Sequence, residues 1–203
     1  MGFVCTKPLY VRKHSSVSGQ FEFKASGFNK VGATTLLIPR ENVSKKLRSS
    51  FYIREASIED LDAVTRIESH GGSWSKQLCE GQLTNPLSAS YVSLVHREDR
   101  IRQDSKDIVG WVAALYIPKV ELQILQLTVL PEEQGQGIGS YLLHSIIDVY
   151  CDQGVENVVL EVRESNAIAI HIYEKAGFVI TGTRPFYYPD GENALLMARI
   201  NDK

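Results

Sequence analysis

The sequence lacks the features that define several large classes of protein. No apolar run approaches the ~20 residues that a membrane-spanning helix needs. A net charge of -2 over 203 residues leaves no overall basic character of the kind that nucleic-acid-binding domains show. The three cysteines, Cys5, Cys79 and Cys151, are widely spaced and fit no metal-binding or redox motif. These absences predict free thiols, no metal site, no membrane span and no direct nucleic-acid binding.

The charge is unevenly distributed along the chain. Residues 1–50 contain nine Lys and Arg but only two acids, whereas the rest contains 13 basic and 22 acidic residues. The first fifty residues are also rich in Ser, Thr and Gly, a composition typical of an organellar transit peptide. A disordered basic tail on a cytosolic protein is the alternative. We predict a targeting or disordered leader over residues 1–50 and a folded domain over residues 51–203. The plastid is favoured, with the mitochondrion or cytoplasm as alternatives.

The folded part alternates between strand-like and helix-like patterns. Period-2 or β-rich stretches predict about seven strands, and amphipathic stretches with capping residues predict about four helices. The predicted strands cover residues 51–57, 91–95, 108–116, 121–130, 156–163, 178–184 and 194–200. The predicted helices cover residues 57–69, 75–83, 138–153 and 167–176. The sum is a mixed α/β domain.

A glycine-rich loop stands between a strand and a helix near the middle of this domain. Pro131 ends the strand, and Gly135, Gly137 and Gly139 precede the helix. Backbone N–H groups at glycines and at a helix N-terminus bind anions, so the layout predicts a phosphate site. A dinucleotide fingerprint fits poorly, because four residues separate strand from first glycine and Ser140 replaces the third glycine. A Walker loop fails because its Gly-Lys-Ser/Thr ending is absent.

The pattern that does fit is Q-x-x-G-x-G, from Gln134 to Gly139, which resembles the acetyl-CoA pyrophosphate loop of GNAT N-acetyltransferases. Further segments resemble the RimI-type protein N-terminal acetyltransferases, which acetylate the N-terminal alanine of a ribosomal protein. These segments are L-E-V-R-x-S-N at 160–166, A-x-x-x-Y-E-K-A-G-F at 169–178 and Y-Y-P-D-G-E-N-A at 187–194. Upstream, Glu68 with Ser73, Trp74 and Ser75 resembles the E-(x)n-P-W-S segment of that group, with Ser73 in place of proline.

The resemblance implies a GNAT fold, with a mixed, mostly antiparallel central sheet, and acetyl-CoA as co-substrate. It also implies that the strand of Leu127 and Val129 splays from the next strand, so that the coenzyme's pantetheine arm pairs with the free edge. The implied coenzyme contacts are Leu127, Val129, Gln134, Gly135, Gln136, Gly137, Gly139, Ser140, Asn166 and Tyr173.

Two residues are the candidates for proton transfer. Glu161 lies among apolar neighbours in a strand, and it matches the general base of RimI-type enzymes; a structural ion pair with Arg163 or another base is the alternative. Tyr173 matches the general acid that protonates the departing coenzyme thiolate, and a core aromatic is its alternative. Trp74, Tyr187 and Tyr188 are implied in substrate binding. Adjacent residues of a strand point to opposite faces, so we expect one tyrosine of the pair to face the groove.

The predicted function is transfer of an acetyl group from acetyl-CoA to the N-terminal α-amine of a protein. A ribosomal protein, free or on the ribosome, is one candidate substrate, and the enzyme is expected to be a monomer without a metal. An α-amine has a pKa of about 7.7–8.0 against about 10.4 for lysine, so a carboxylate suffices as base. Two alternatives remain open: a lysine or small-amine acetyltransferase on the same scaffold, and a non-catalytic acetyl-CoA-binding module.

Overall fold

The structure, a computed structural model, describes residues 36–37, 50–96 and 108–200. These residues form one eight-stranded sheet and four α-helices. The strands are β1 (Leu36–Leu37), β2 (Ser50–Glu55), β3 (Ser88–His96), β4 (Ile108–Ile117), β5 (Glu121–Val129), β6 (Asn157–Arg163), β7 (Val179–Arg184) and β8 (Ala194–Ile200). The helices are α1 (Leu61–Gly71), α2 (Lys76–Thr84), α3 (Ile138–Asp152) and α4 (Ala167–Lys175).

The mixed α/β class is therefore confirmed, with one strand more than the seven predicted. The additional strand, β1, is two residues long, pairs with β2 and lies within the predicted leader. Residues 1–35 and 38–49 of that leader lie outside the described residues, as does the segment 97–107 between the second and third predicted strands. The predicted start of the first helix is a 3-10 turn, Ile58–Asp60, that leads into α1, and the Asp60 carboxylate accepts a hydrogen bond from the Ser57 N–H at 2.9 Å.

The sheet has the order β1-β2-β3-β4-β5-β6-β8-β7, and its strands are antiparallel except for the β5–β6 pair. That parallel pair is short, running only from Glu121↔Asn157 to Ile124↔Leu160. The β4–β5 register then skips Leu125, because Ala114 pairs with Ile124 and Ala113 with Gln126. An extra residue of this kind bends a strand. Beyond it β5 follows β4 alone, which confirms the splay that the resemblance implies.

The core lies around β4, whose residues from Ile108 to Ala114 are all buried. Helices α1 and α3 both pack on this strand. Val64 and Ile67 of α1, and Leu142 and Ile146 of α3, are completely buried. The rigid centre of the fold therefore supports β5, which hydrogen-bonds to β4 along its whole length.

The sequence of β6, with VVLEV at its centre, predicts a central strand that is apolar on both faces, and this prediction is wrong. Burial alternates along the strand, with Val158, Leu160 and Val162 buried and the residues between them half-buried. An alternating pattern means that one face packs on the core while the other borders a more open space. Glu161 stands on the open face.

Candidate active site

The site is the opening that forms where β5 and β6 part. Leu127 and Val129 lie on the β5 side, past the last pair with β6, and both are half-buried. Glu161 is the first residue of β6 past the same point. Because a strand edge without a partner presents N–H and C=O groups, the β5 edge can pair with an extended ligand.

The glycine loop follows β5 directly and ends at the start of α3. Gly135 and Gly137 have φ values of +74° and +85°, in the left-handed region that favours glycine. Gly137 is the N-cap of α3, so the unpaired first N–H groups of a 15-residue helix directly follow the loop. The loop therefore has the geometry of an anion site beside the β5 edge.

Glu161 is held by two partners from β7 and the loop after it. One carboxylate oxygen lies 2.9 Å from a guanidinium nitrogen of Arg184, and Tyr187 also hydrogen-bonds to this carboxylate. The side chain of Glu161 is 20% exposed, and that of Arg184 is 52% exposed. The ion pair that the sequence offered as an alternative is therefore present, and its cation is Arg184 rather than Arg163. The pair is accessible to solvent, so an incoming group can replace Arg184 at the carboxylate.

Tyr173 lies on α4 and is buried, with only 8% of its surface exposed. Its ring packs against Phe178, with 5.9 Å between ring centroids. Burial, with a smaller contribution from the nearby Tyr188, raises the pKa of Tyr173 to about 12. Its hydroxyl therefore carries its proton throughout the physiological range, which is what a proton donor requires.

Tyr187 and Tyr188 do not lie in a strand, so the strand alternation behind the expectation that only one of them faces the groove does not apply to them. They belong to the loop between β7 and β8, and their rings form a T-shaped pair with centroids 5.1 Å apart. The hydrogen bond to Glu161, together with burial, raises the pKa of Tyr187, and burial, with smaller contributions from Tyr187 and Glu161, raises the pKa of Tyr188. Both tyrosines are thus placed beside the candidate base.

The loop that carries the tyrosines is fixed to the end of β6. Arg163 donates hydrogen bonds to Asp190 at 2.8 Å and to Glu192 at 2.6 Å, and its guanidinium covers the ring of Tyr188. Glu192 also accepts from the Ser165 N–H, and these hydrogen bonds lower its pKa to about 2. Ionic contacts thus hold the tyrosine loop against β6.

Trp74 is half-buried at the other side of β5, where its ring meets Trp111 edge-on with 5.6 Å between centroids. The loop of Trp74 is hydrogen-bonded to a buried carboxylate, that of Glu68 in α1. The same carboxylate accepts from two side chains of β5, Gln126 and Thr128. Trp74 is therefore connected to the strand that borders the opening.

Three predicted coenzyme residues have side chains that bind within the protein. Gln134 donates to the Val129 carbonyl at 3.0 Å, which ties the glycine loop to the end of β5. Gln136 donates to Glu133 at 2.8 Å, and Asn166 caps α4 by accepting from the Ala169 N–H at 3.1 Å. These side chains shape the loop and helix ends in the free protein. Their predicted contacts with coenzyme remain predictions.

The sequence patterns predict no role for Glu68 or Arg184. Glu68 follows Val64 and Ile67 at helical spacing, so a charged residue on the apolar face of α1 was the available signal. Arg184 had no local signal, because its partner Glu161 lies on another strand that pairs with β8.

No group of His, Cys, Asp and Glu side chains suited to a metal ion occurs among residues 36–37, 50–96 and 108–200. In the same part of the chain, no helix has the length and hydropathy of a membrane span.

Comparison with known proteins places this architecture among acetyltransferases. The sequence model of the acetyltransferase (GNAT) family matches residues 57–178. The ribosomal protein bS18-alanine N-acetyltransferase of Haemophilus influenzae is 42% identical over 145 residues, covering 68% of this chain and 91% of its own. The crystal structure of the ribosomal-protein-S18-alanine N-acetyltransferase from Escherichia coli superposes with a TM-score of 0.66 at 28% identity, over 75% of this chain and 95% of that one. Arabidopsis thaliana NAA60, solved with acetyl-CoA, shares the fold at 15% identity, with a TM-score of 0.64 over 74% of this chain and 98% of that one.

Proposed function

The chain belongs to the GNAT acetyltransferase family and is an N-acetyltransferase, and from this premise we propose that it acetylates the N-terminal α-amine of a protein with acetyl-CoA. The names of the similar enzymes favour a ribosomal protein as the substrate. The observation that carries the proposal is the parting of β5 and β6 at Ile124 and Leu160, with Glu161 at the opening.

The coenzyme is proposed to lie along the β5 edge with its pyrophosphate on the glycine loop. Leu127 and Val129 offer backbone groups to the pantetheine arm, as a neighbouring strand would. The N–H groups of Gly135 to Ser140 and the positive end of α3 then face the pyrophosphate. Gln134 supports this arrangement by joining the loop to the Val129 carbonyl.

Glu161 is proposed to accept the proton of the incoming ammonium group, directly or through water. Only the neutral amine attacks the thioester carbon, and an α-amine loses its proton more easily than a lysine does. The cationic substrate exchanges with the half-exposed Arg184 at the carboxylate. Tyr187 and Tyr188, next to the same carboxylate, then border the peptide.

Tyr173 is proposed to supply the proton that the coenzyme sulfur takes up when the carbon–sulfur bond breaks. The amine, neutral after giving one proton to Glu161, forms the new bond to the acetyl carbon, and the carbon–sulfur bond breaks as Tyr173 protonates the sulfur. The nitrogen then gives its second proton back to Tyr173, directly or through water, the thiol leaves, and Glu161 releases its proton to solvent. The buried hydroxyl of Tyr173 is protonated at neutral pH, which supports this role. No covalent intermediate with the enzyme is needed.

The test compares two acceptor peptides with the full chain and acetyl-CoA. One has a free N-terminus and no lysine, and the other has a blocked N-terminus and one lysine. We expect transfer mainly to the free N-terminus, fastest when the peptide carries a ribosomal-protein N-terminal sequence. Transfer confined to lysine would overturn the substrate class. Tight coenzyme binding with no transfer to any amine would overturn catalysis itself.

We also propose that residues 1–50 direct the enzyme to an organelle, with the plastid favoured, on the basis of their basic, acid-poor and hydroxyl-rich composition. Fusing these residues to a fluorescent protein in plant cells tests this. Plastid fluorescence is the expected result, and a diffuse cytosolic signal would contradict it.

A further inference from the structure

A buried carboxylate with five hydrogen-bond donors has no part in the proposed proton transfers. Glu68 is 3% exposed, and its two oxygens accept five hydrogen bonds. The Oε1 atom accepts from the Trp111 indole N–H and the Thr128 hydroxyl, both at 2.7 Å. The Oε2 atom accepts from the Ser73 and Trp74 backbone N–H groups, at 2.8 and 2.9 Å, and from Gln126 at 2.8 Å.

These five donors are all neutral, and they come from three separate parts of the fold. Two belong to the loop between α1 and α2, one to the core strand β4 and two to β5. A carboxylate only accepts hydrogen bonds, so each of the five donors has a suitable acceptor in Glu68. Burying a charge is costly, and the hydrogen bonds that offset this cost also fix the positions of the groups that donate them.

The backbone around the carboxylate is adapted to it. A Cβ added at Gly72 would overlap the Glu68 carboxyl group, so only glycine leaves room for this hydrogen-bonded arrangement. The neighbouring Gly71 is not restricted in this way, since its nearest neighbour would be the Val129 carbonyl oxygen at 3.4 Å, an ordinary contact. Position 72 therefore requires glycine because of the Glu68 carboxylate.

The position of the carboxylate relates it to both substrates of the proposed reaction. Gln126 and Thr128 flank Leu127 on β5, the strand whose free edge borders the opening. Ser73 and Trp74 form the loop that the family resemblance assigns to the acceptor, and Trp74 packs on Trp111, another donor to Glu68. One side chain thus fixes the distance between the acceptor loop and the coenzyme strand.

We propose that Glu68 is a positioning residue that holds the Gly72–Trp74 loop against β5 and thereby places the acceptor peptide beside the thioester. It acts through Ser73, Trp74 and the two β5 side chains and exchanges no proton with either substrate. This inference rests on the proposed function, because it places the Gly72–Trp74 loop on the acceptor side of the proposed acetyl transfer.

The first variant is Glu68→Gln, which keeps the shape but turns one acceptor oxygen into an N–H donor. At least one of the five donors then loses its acceptor. We expect the KM for the peptide to rise by at least about tenfold, since small misplacements of a substrate are costly. The KM for acetyl-CoA should stay within about twofold, because the glycine loop is untouched. The second variant, Gly72→Ala, keeps Glu68 but displaces its carboxylate. It should give the same result, a raised KM for the peptide and a nearly unchanged KM for acetyl-CoA.

Two matched controls separate positioning from a general loss of stability. Gly71→Ala makes the same change one residue earlier, where a Cβ fits. Gln82→Leu removes a buried side chain of α2 that hydrogen-bonds to Ser88, Ser90 and the Ala114 carbonyl, away from the loop. Thermal melting of all four variants shows how much stability each has lost. The controls should keep the wild-type KM for the peptide.

The proposal is overturned if Glu68→Gln and Gly72→Ala raise the peptide KM no more than the controls do at a similar loss of stability. It is overturned equally if the KM values of both substrates rise together. Failure of the proposed function looks different, because the wild-type chain itself then fails to acetylate N-terminal peptides. In that case the same titrations are made with whichever amine the wild type acetylates, and the predicted split remains open to test.

Discussion

The two sides of the opening each contain a glutamate, and the protein holds the two in opposite ways. On the α1 side, Glu68 is buried and accepts five hydrogen bonds from neutral donors fixed in the fold. On the β6 side, Glu161 is one-fifth exposed and is held by Arg184 and Tyr187, whose side chains are themselves exposed.

Under the proposed roles, one residue type serves for geometry in one place and for proton transfer in another. Donors that belong to the backbone and the core cannot leave Glu68, so the carboxylate fixes their positions. An ion pair whose cation is half-exposed contributes little stability and exchanges readily with a substrate. The weak hold on Glu161 therefore supports its proposed role in proton transfer.

Replacing the weakly held carboxylate gives the largest expected effect on rate. Glu161→Gln removes the proposed base, so we expect kcat to fall by about 10³-fold. The free energy of unfolding should change by less than about 1 kcal/mol, because only a solvent-accessible ion pair is lost. Steady-state kinetics with a free-N-terminus peptide, together with urea denaturation, measures both quantities.

The contrast with Glu68 is the control for this prediction. Glu68→Gln should lower stability and raise the peptide KM, whereas Glu161→Gln should lower kcat at nearly full stability. A Glu161→Gln enzyme that retains wild-type kcat would exclude this residue as the base, and with it the proposed difference in role between the two glutamates.

Tyr173→Phe should lower kcat by about 10²-fold, because the departing thiolate loses its proton donor. The variant also reports on the raised pKa. Below pH 10 the tyrosine is neutral in both the folded and the unfolded chain, and between pH 10 and about 12 only the unfolded chain ionises. Stability should therefore fall as pH rises through this window, and it should fall less steeply in Tyr173→Phe. Thermal melting from pH 9 to pH 12 makes the comparison. Equal slopes would contradict the buried, protonated state.

The sequence predicted best the parts of the site that local patterns encode. The strand, glycine loop and α3 are contiguous, and their glycines and amphipathic spacing identify them. Asn166, a residue type that caps helices, directly precedes the predicted helix at 167–176 and is the N-cap of α4. Glu161 was found because a charge between apolar neighbours is unusual. Each of these signals lies within one continuous stretch of the sequence.

The sequence could not predict the contacts that depend on the order of strands in the sheet. Glu68 meets Trp111 and Thr128, which are 43 and 60 residues away along the chain. Arg184 reaches Glu161 because β7 and β6 both pair with β8. Strand alternation, on which the expectation of one groove-facing tyrosine rested, does not apply to Tyr187 and Tyr188, because both lie in a loop. Such contacts follow from topology, which residue spacing alone does not specify.

Arg184→Gln should have a smaller effect on the same carboxylate. The substitution removes the cation that pairs with Glu161 and that the substrate ammonium must replace, so the KM for the peptide should fall. We expect the fall to be less than about fivefold, because the guanidinium is half-exposed and screened by solvent. Steady-state kinetics with a free-N-terminus peptide measures it. Lys76→Gln, which breaks an exposed pair with Asp62 elsewhere, should leave this KM unchanged. A rise in the KM of Arg184→Gln would show that Arg184 does not compete with the substrate for Glu161.

The smallest expected effect concerns the loop that carries the two tyrosines. Glu192 has a pKa of about 2, lowered by hydrogen bonds from Ser165 and Arg163, against an ordinary value of 4.5. A depressed carboxyl pKa stabilises the fold above pH 4.5, and that contribution is lost as pH falls from 4.5 towards 2. Glu192→Gln lacks this stabilising contribution at every pH. Its melting temperature should therefore be lower than that of the wild type at pH 6 and converge with it near pH 2. Because the pair is exposed, high salt should reduce the difference at pH 6. A constant difference across this range would mean that the loop is held by the packing of Arg163 on Tyr188, with the charge of Glu192 contributing nothing.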